Sequence, residues 1–325
     1  MMYFEVAAGF VLLLGAAEFM VRGSVALAKK LSISPLIIGM TIVAIGTSAP
    51  ELVVGLQAAK AGASGMALGN VVGSNIANVL LILGSAGLVS VVVSKEGALL
   101  RDGIVLIAGS VLFAFFCMSG EIGQISGIIL VSALVAFLYM SYRRVRTEGG
   151  SDAELHVEEV DEVGELPDNM LIVLLSLFGG LAGIVYGADI LVDGAVQIAR
   201  TFEVSEEVIG LTIVALGTSL PELAASVVAA LRGHADVAIG NVVGSNLFNV
   251  LGIAGVVAIV SPLPVVEQIM TFDIWVMLAS TVAMLPLLIL GWKLTRLASV
   301  AFLILYCAYI AMQGYGVEKS LAMIW

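Results

Sequence analysis

The sequence predicts an all-α membrane protein of ten transmembrane helices, built as two inverted-topology repeats of five helices each. Three observations carry that prediction. The 325 residues are 60% hydrophobic and only 12% charged, and a mean hydropathy of +1.12 lies outside the range of soluble domains. The apolar runs resolve into segments of spanning length at roughly 4–27, 36–60, 66–90, 103–120, 122–142, 170–193, 205–231, 237–260, 270–290 and 297–316. One ungapped shift of 171 positions also superimposes the first half of the chain on the second, carrying Gly46 to Glu51 onto Gly217 to Glu222 and Gly69 to Asn75 onto Gly240 to Asn246.

Segment 1 follows Met1-Met2-Tyr3-Phe4-Glu5, which lacks the basic start of a signal peptide, so it is read as a retained span. Segments 2 and 3 carry the first copies of the two motifs. Segments 4 and 5 are divided only by the Gly120 region. Cys117 and Cys307 fall inside spans, where a thiol behaves as a small apolar group and implies no disulfide framework. A loop from about Arg143 to Asn169 then separates the halves, with nine acidic residues from Glu148 to Asp168 and no Lys or Arg among them. This is a solvated linker by composition, and it supplies most of the formal charge of −11, so the acidity of the chain says little about partners. Segments 6 to 10 repeat the pattern, with Glu18 aligned to Asp189, Gly23 to Gly194, Gly39 to Gly210 and Thr41 to Ala44 on Thr212 to Ala215. The resulting divisions are 1–145, 146–169, 170–316 and a tail, 317–325.

Orientation follows from the basic residues. With the N-terminus outside, Arg22, Lys29, Lys30, Lys95, Arg101, Arg143, Arg144, Arg146, Arg232, Lys293 and Arg296 fall inside, and only Lys60, Arg200 and Lys319 outside. Both termini are then external and the central loop cytoplasmic. Five spans per half make the second copy enter from the opposite side, which is an inverted repeat. Broken helices in such repeats place a site near the midplane, where Glu51 and Glu222 are expected to face each other.

The motifs contain the chemistry. Pro50 and Pro221 have no N–H, so the carbonyls of Gly46 and Gly217 lose their helical partners. A carboxylate near the bilayer centre costs about 3 kcal/mol, so Glu51 and Glu222 need a reason beyond stability. A bound cation satisfies both groups. Thr47 and Ser48 lie four and three residues before Glu51, on the glutamate's side of the helix. Ser74 and Asn78 share one face of segment 3, and Ser245 and Asn249 repeat this in segment 8. The ligands are all oxygen, which suits Ca2+, Mg2+ or Na+; the two histidines, His156 and His234, lie in loops. The competing account is a proline kink with back-bonded hydroxyls and an interfacial glutamate, which leaves two in-register buried carboxylates unexplained. Gly69, Gly73, Gly240 and Gly244 form a small-xxx-small pattern read as close helix packing. Glu18 and Asp189 are read as bonding a neighbouring helix and stay outside the site.

With G-T-S-x-P-E and G-N-x-x-G-S-N in each half, nearly the whole chain resembles the sodium/calcium exchanger family of the cation/Ca2+ exchanger superfamily. The resemblance implies ten helices, with segments 2, 3, 7 and 8 forming a core and segments 1 and 6 sliding across it as gates. It implies as ion ligands Thr47, Ser48, Glu51, Ser74, Asn78, Thr218, Ser219, Glu222, Ser245 and Asn249, with the backbone carbonyls of Ala44 and Ala215. Transported Ca2+ and Na+, with no cofactor, and a plasma-membrane setting follow from it, as does the return of more than two Na+ per Ca2+. Several family members have Asp at the position of Asn249, among them the potassium-dependent branch, so potassium dependence is not implied. The central loop is too short for the regulatory Ca2+-binding domains of animal exchangers. Alternatives on the same scaffold are coupling to H+ or K+. A passive cation channel is the reading from another class, disfavoured because channels commonly line a pore with rings from several subunits. Neither nucleic acid nor an obligate protein partner is implied; lipid is.

Overall fold

The computed structural model describes residues 2–93, 100–148, 169–202, 215–315 and 317. The acidic linker with His156, the opening of the seventh expected segment with Gly210 and Thr212 to Val214, Lys95, and the tail with Lys319 lie outside the described residues. The helices are α1 (Met2–Leu31), α2 (Pro35–Thr47), α3 (Ala49–Lys60), α4 (Ser64–Val89), α5 (Leu100–Met118), α6 (Gln124–Glu148), α7 (Met170–Thr201), α8 (Ala215–Thr218), α9 (Leu220–Leu231), α10 (Ala235–Val260), α11 (Ile269–Ile289) and α12 (Arg296–Tyr315). Two antiparallel pairs of two-residue strands join loops: β1 (Val92–Val93) with β4 (Lys293–Leu294), and β2 (Glu121–Ile122) with β3 (Leu263–Pro264). Eight helices among the described residues are long and apolar enough to cross a bilayer, and α2 with α3 makes a ninth if the bent pair is one span.

The sequence repeat is written into the element boundaries. Shifted by 171 residues, α3 coincides with α9, α4 with α10, Ala44–Thr47 with α8, and β1 with β3. Helix starts have local causes: the Ser34 side chain accepts from the Leu36 N–H ahead of Pro35, and Asn169 accepts from Leu171 at 2.9 Å. The turns that follow α3 and α9 both need left-handed backbone, met by Gly62 at φ 74° and Gly233 at φ 78°.

The chain divides into two compact units, each drawing on both halves of the sequence: Met1–Pro50 with Leu138–Ser245, and Glu51–Phe137 with Asn246–Trp325. In the first unit, Leu13, Ala17, Met20 and Val21 of α1 pack on Leu177, Ile184 and Ala188 of α7, and this core extends to Val43, Ala225, Ala229 and Ala238. The two long helices meet backbone to backbone. A Cβ at Gly23 would stand 2.5 Å from the Leu177 nitrogen, and one at Gly180 would stand 2.5 Å from that of Met20. Gly240 and Gly244 of α10 press likewise on the Leu36 and Met40 backbone of α2, the close packing expected of that pair. Gly69 and Gly73 make no such approach among the described residues, and the residues one repeat on from Leu36 and Met40 are not among them.

At the end of α9, Arg232 Nε donates to Glu18 Oε2 at 2.6 Å while Arg22 Nε donates to Glu18 Oε1 at 2.7 Å. Glu18 thus ties α1 to the turn after α9, as a carboxylate bonding a neighbouring helix; with Arg232 46% exposed, the pair stabilises by about 1 kcal/mol at most. His234 lies in the same turn, where burial holds its imidazole below the ordinary histidine value against the opposing charges of Asp236 and Glu18.

In the second unit, Gly127 of α6 lies against the Gly255 carbonyl of α10, and Leu303 of α12 covers Gly84 of α4. The buried Asp273 of α11 accepts from Tyr309 Oη at 3.2 Å, Gln313 Nε2 at 2.5 Å and Gln268 Nε2 at 3.2 Å, so three neutral donors surround one carboxylate. Large apolar side chains such as Phe10, Phe19, Leu175, Phe178, Leu297 and Ile304 are exposed, as a surface solvated by hydrocarbon requires.

The α1–α7 contact yields a paired test. Gly180→Val would push against the Met20 backbone and its Cβ, which cannot swing aside, so overpacking should cost about 1–3 kcal/mol and lower the thermal midpoint. A Cβ at the adjacent Gly179 meets nothing within 4 Å, so Gly179→Val should leave that midpoint unchanged. Equal midpoints for both variants, measured by thermal unfolding in detergent, would refute the close approach.

Candidate cation site

The prolines do not kink continuous helices. Helix α2 stops at Thr47, Ser48 takes φ −85° and ψ 8°, and α3 leaves at an angle of 42°. In the second copy α8 stops at Thr218, and Ser219 at φ −91° and ψ 0° precedes α9. Pro50 and Pro221 therefore sit in the first turn of a new helix, where a missing N–H costs no bond. The helical spacing that set Thr47 and Ser48 beside Glu51 does not carry across this break. It also places Glu51 and Glu222 in the first turns of α3 and α9, where free N–H groups and the helix dipole favour negative charge. The ends of α2 and α8 present carbonyls, the pole that attracts cations.

Within the first unit these elements converge on Glu222, which is 1% exposed. Ser48 Oγ donates to Glu222 Oε1 at 2.8 Å. The sequence placed Ser48 on the side of Glu51; the break redirects its hydroxyl to the glutamate of the other repeat. Thr47 Oγ1 lies 3.1 Å from the Val43 carbonyl, 3.3 Å from that of Ala44 and 3.3 Å from Asn241 Oδ1. Asn241 Nδ2 donates to Ser226 Oγ at 3.0 Å and reaches the Glu222 carbonyl at 3.4 Å. The Ala44 carbonyl accepts the Ser48 N–H at 3.0 Å. Ser219 is buried, Thr218 is half-buried and Ala215 opens α8. Glu222 Oε2 and Ser245 Oγ are buried without a hydrogen-bond partner among the described residues.

The second unit holds the remaining candidates. Glu51, 1% exposed, has its backbone carbonyl 3.4 Å from Asn70 Nδ2 of α4. Ser74 and Asn78 lie one turn apart on α4, both buried, and Asn78 opens a π-helical stretch, Asn78–Leu83. Asn249 falls in the matching stretch of α10, Phe248–Ile253. Such wide turns recur at functional sites because they re-aim side chains. Asn78 Nδ2 donates to Asn246 Oδ1 at 2.9 Å, leaving Asn78 Oδ1 and Asn246 Nδ2 without partners, and neither side-chain atom of Asn249 has one among the described residues.

Sequence reasoning assigned Asn70, Asn241 and Asn246 no role. Asn70 and Asn241 recur at the 171-residue offset, as Asn75 and Asn246 do, and that signal was available. The unpartnered oxygens of Glu222, Ser245, Asn78 and Asn249 are hard ligands suited to a desolvated alkali or alkaline-earth ion. Among the described residues no three His, Cys, Asp or Glu gather as at a resident metal centre.

Helices broken inside the membrane, with buried carboxylates in their first turns, define a cation transporter of the repeat-built class. The family model described as sodium/calcium exchanger protein matches residues 3–143 and 172–315, and the chain belongs to that family. It is an integral membrane antiporter of the cation/Ca2+ exchange type. It is 38% identical to the putative antiporter CaxA of Alkalimonas amylolytica, over 95% of this chain and 96% of that one. It is 32% identical to the sodium/calcium exchanger MaX1 of Methanosarcina acetivorans, over 94% and 97% respectively. Among solved structures it resembles the sodium-calcium exchanger NCX_Mj soaked with Na+ and Sr2+, with a TM-score of 0.82 and 30% identity over 95% of this chain and 97% of that one.

The Ser48–Glu222 bond generates a direct prediction. Hydrogen bonds to ionised groups contribute about 1.5–3 kcal/mol, so Ser48→Ala should weaken Ca2+ binding roughly ten- to a hundredfold by titration calorimetry. Unchanged affinity would remove Ser48 from the site.

Proposed function

We propose that this protein exchanges Na+ for Ca2+ across the plasma membrane by alternating access and that its physiological direction is electrogenic Ca2+ extrusion. The observation that carries the reading is the buried, half-partnered Glu222 carboxylate, held by Ser48 of the opposite repeat. The ligands are Thr47, Ser48, Glu51, Ser74, Asn78, Thr218, Ser219, Glu222, Ser245 and Asn249, with the carbonyls of Ala44 and Ala215. Glu51 and Glu222 supply two negative charges, enough for one Ca2+ or two Na+, and the neutral oxygens can hold a further Na+ without adding charge. Na+ coupling is supported by the likeness to MaX1 and NCX_Mj, both named for sodium and calcium.

The architecture that goes with this function is ten helices in two inverted repeats, 1–145 and 170–316, joined by a cytoplasmic linker, 146–169, and followed by a tail, 317–325. Both termini lie outside. The recurrence of α3, α4 and β1 as α9, α10 and β3 supports the repeat, and the distribution of Lys and Arg supports the orientation.

Two experiments test the reading. Glu51→Gln and Glu222→Gln should each abolish Ca2+ uptake into vesicles driven by an opposed Na+ gradient, because removing one charge leaves a divalent ion half compensated in a site of low dielectric. Full transport by either folded variant refutes the ligand set. Uptake by the unmodified protein that follows a pH or K+ gradient instead identifies another coupling ion, and uptake indifferent to every gradient identifies a channel.

The second experiment imposes a potassium diffusion potential with valinomycin at fixed Na+ and Ca2+ gradients. Three Na+ per Ca2+ carries one net charge, so a potential should shift the driving force by roughly 2.3 kcal/mol per 100 mV. A null point fixed at two Na+ per Ca2+, whatever the potential, would rule out electrogenic exchange.

A further inference from the structure

We propose that Asn241 is a positioning residue for ion binding: it draws the Thr47 hydroxyl proton to its own Oδ1 and so leaves the Ala44 carbonyl and the Thr47 oxygen lone pairs turned to the transported cation. The proposal rests on the exchange reading above. It is carried by one juxtaposition, a wholly buried amide whose polar atoms touch two helices that bear candidate ligands in the first unit, α2 and α9.

Thr47 has a single proton and four acceptors near it: the Val43 carbonyl at 3.1 Å, the Ala44 carbonyl at 3.3 Å, Asn241 Oδ1 at 3.3 Å and the carboxylate of Glu222. A helical threonine left to itself bonds a carbonyl of its preceding turn. A proton aimed at Ala44, whose carbonyl already accepts the Ser48 N–H at 3.0 Å, would occupy its second lone pair and oppose a cation there. The Asn241 amide oxygen, offered from α10 at 3.3 Å, gives the proton another acceptor and removes that conflict. It must, however, be held with oxygen rather than nitrogen towards the hydroxyl.

The surroundings of Asn241 hold it that way. Its Nδ2 faces the Glu222 backbone carbonyl at 3.4 Å, a group that only accepts, and Ser226 Oγ at 3.0 Å. Turning the amide over would set its oxygen against the Glu222 carbonyl. The same bonds tie the α10 amide to the first two turns of α9, so the orientation of Glu222 and that of Thr47 are set by one side chain.

The two repeats differ at this point. Asn70 occupies the equivalent place in α4 and reaches the Glu51 carbonyl at 3.4 Å. The position equivalent to Ser226 is Gly55, which has no hydroxyl to offer. Asn241 is therefore the more firmly oriented of the pair, and the site responds more strongly to its loss.

The test is Na+-gradient-driven Ca2+ uptake in proteoliposomes of the full chain, with KM and kcat measured separately for the unmodified protein, Asn241→Leu, Asn70→Leu and Ser226→Ala. Asn241→Leu should raise KM for Ca2+ at least tenfold, a larger factor than any fall in kcat. Ser226→Ala should raise it about threefold, and Asn70→Leu less than Asn241→Leu does. A merely structural asparagine would lower the yield of active protein, and hence the maximal rate, at unchanged KM; that result overturns the proposal. If Asn241→Leu does not fold, Ser226→Ala decides, and an unchanged KM for it overturns the proposal equally. Failure of the unmodified protein to take up Ca2+ against a Na+ gradient removes the exchange reading and this inference together, whereas normal uptake with unaltered variants removes the inference alone.

Discussion

A carboxylate can remain charged inside a membrane only if donors or cations replace the water it has lost, and the arrangement around Glu222 follows from that requirement. Removing an ion from water costs several kcal/mol even after the protein relaxes. The break at Ser219 opens a fresh helix N-terminus one turn from the carboxylate, and Pro221 occupies a position in that turn that needs no N–H. Ser48, itself at a break, supplies a hydroxyl from the other repeat at 2.8 Å. The second carboxylate oxygen is buried without a hydrogen-bond partner among the described residues.

Breaking a helix in lipid has its own cost, because exposed backbone groups find no water there. Helix α7 covers both breaks within the first unit. Leu181 lies on Gly46 and Val192 on Gly217, each so close that a Cβ on the glycine would stand within 3 Å of a methyl of the covering side chain. The same helix meets α1 backbone to backbone through Gly180 and Gly23. The glycines at these contacts thus let α7 lie close over the broken, charge-bearing core.

Repetition built this arrangement twice without making the copies equal. Turn glycines and the residues of β1 and β3 recur one repeat apart, and the π-helical stretches of α4 and α10 lie within one residue of that offset. Ser226 against Gly55 breaks the correspondence, and it does so beside the asparagine that orients Thr47. A transport cycle has no need of a symmetric site. Occupancy by ions of different charge favours unequal halves, since the ligands that suit one Ca2+ are not arranged as those that suit two Na+.

The sequence by itself determined the membrane class, the all-helical architecture and the oxygen chemistry of the motifs. Each of these depends on composition or on spacing along one helix, and a 171-residue offset is visible without coordinates. The family also followed from motifs that stand intact in both halves. Tertiary structure decided which groups touch. It ended helices at Thr47 and Thr218 and sent Ser48 to Glu222. It brought in Asn241, Asn70 and Asn246, which sequence reasoning had passed over, and supplied Glu18 with Arg232. The physical reason is that a hydroxyl or amide can bond any acceptor within about 3 Å. Spacing along one helix names only the neighbours on that helix; the acceptors brought by another helix exist only once the chain has packed.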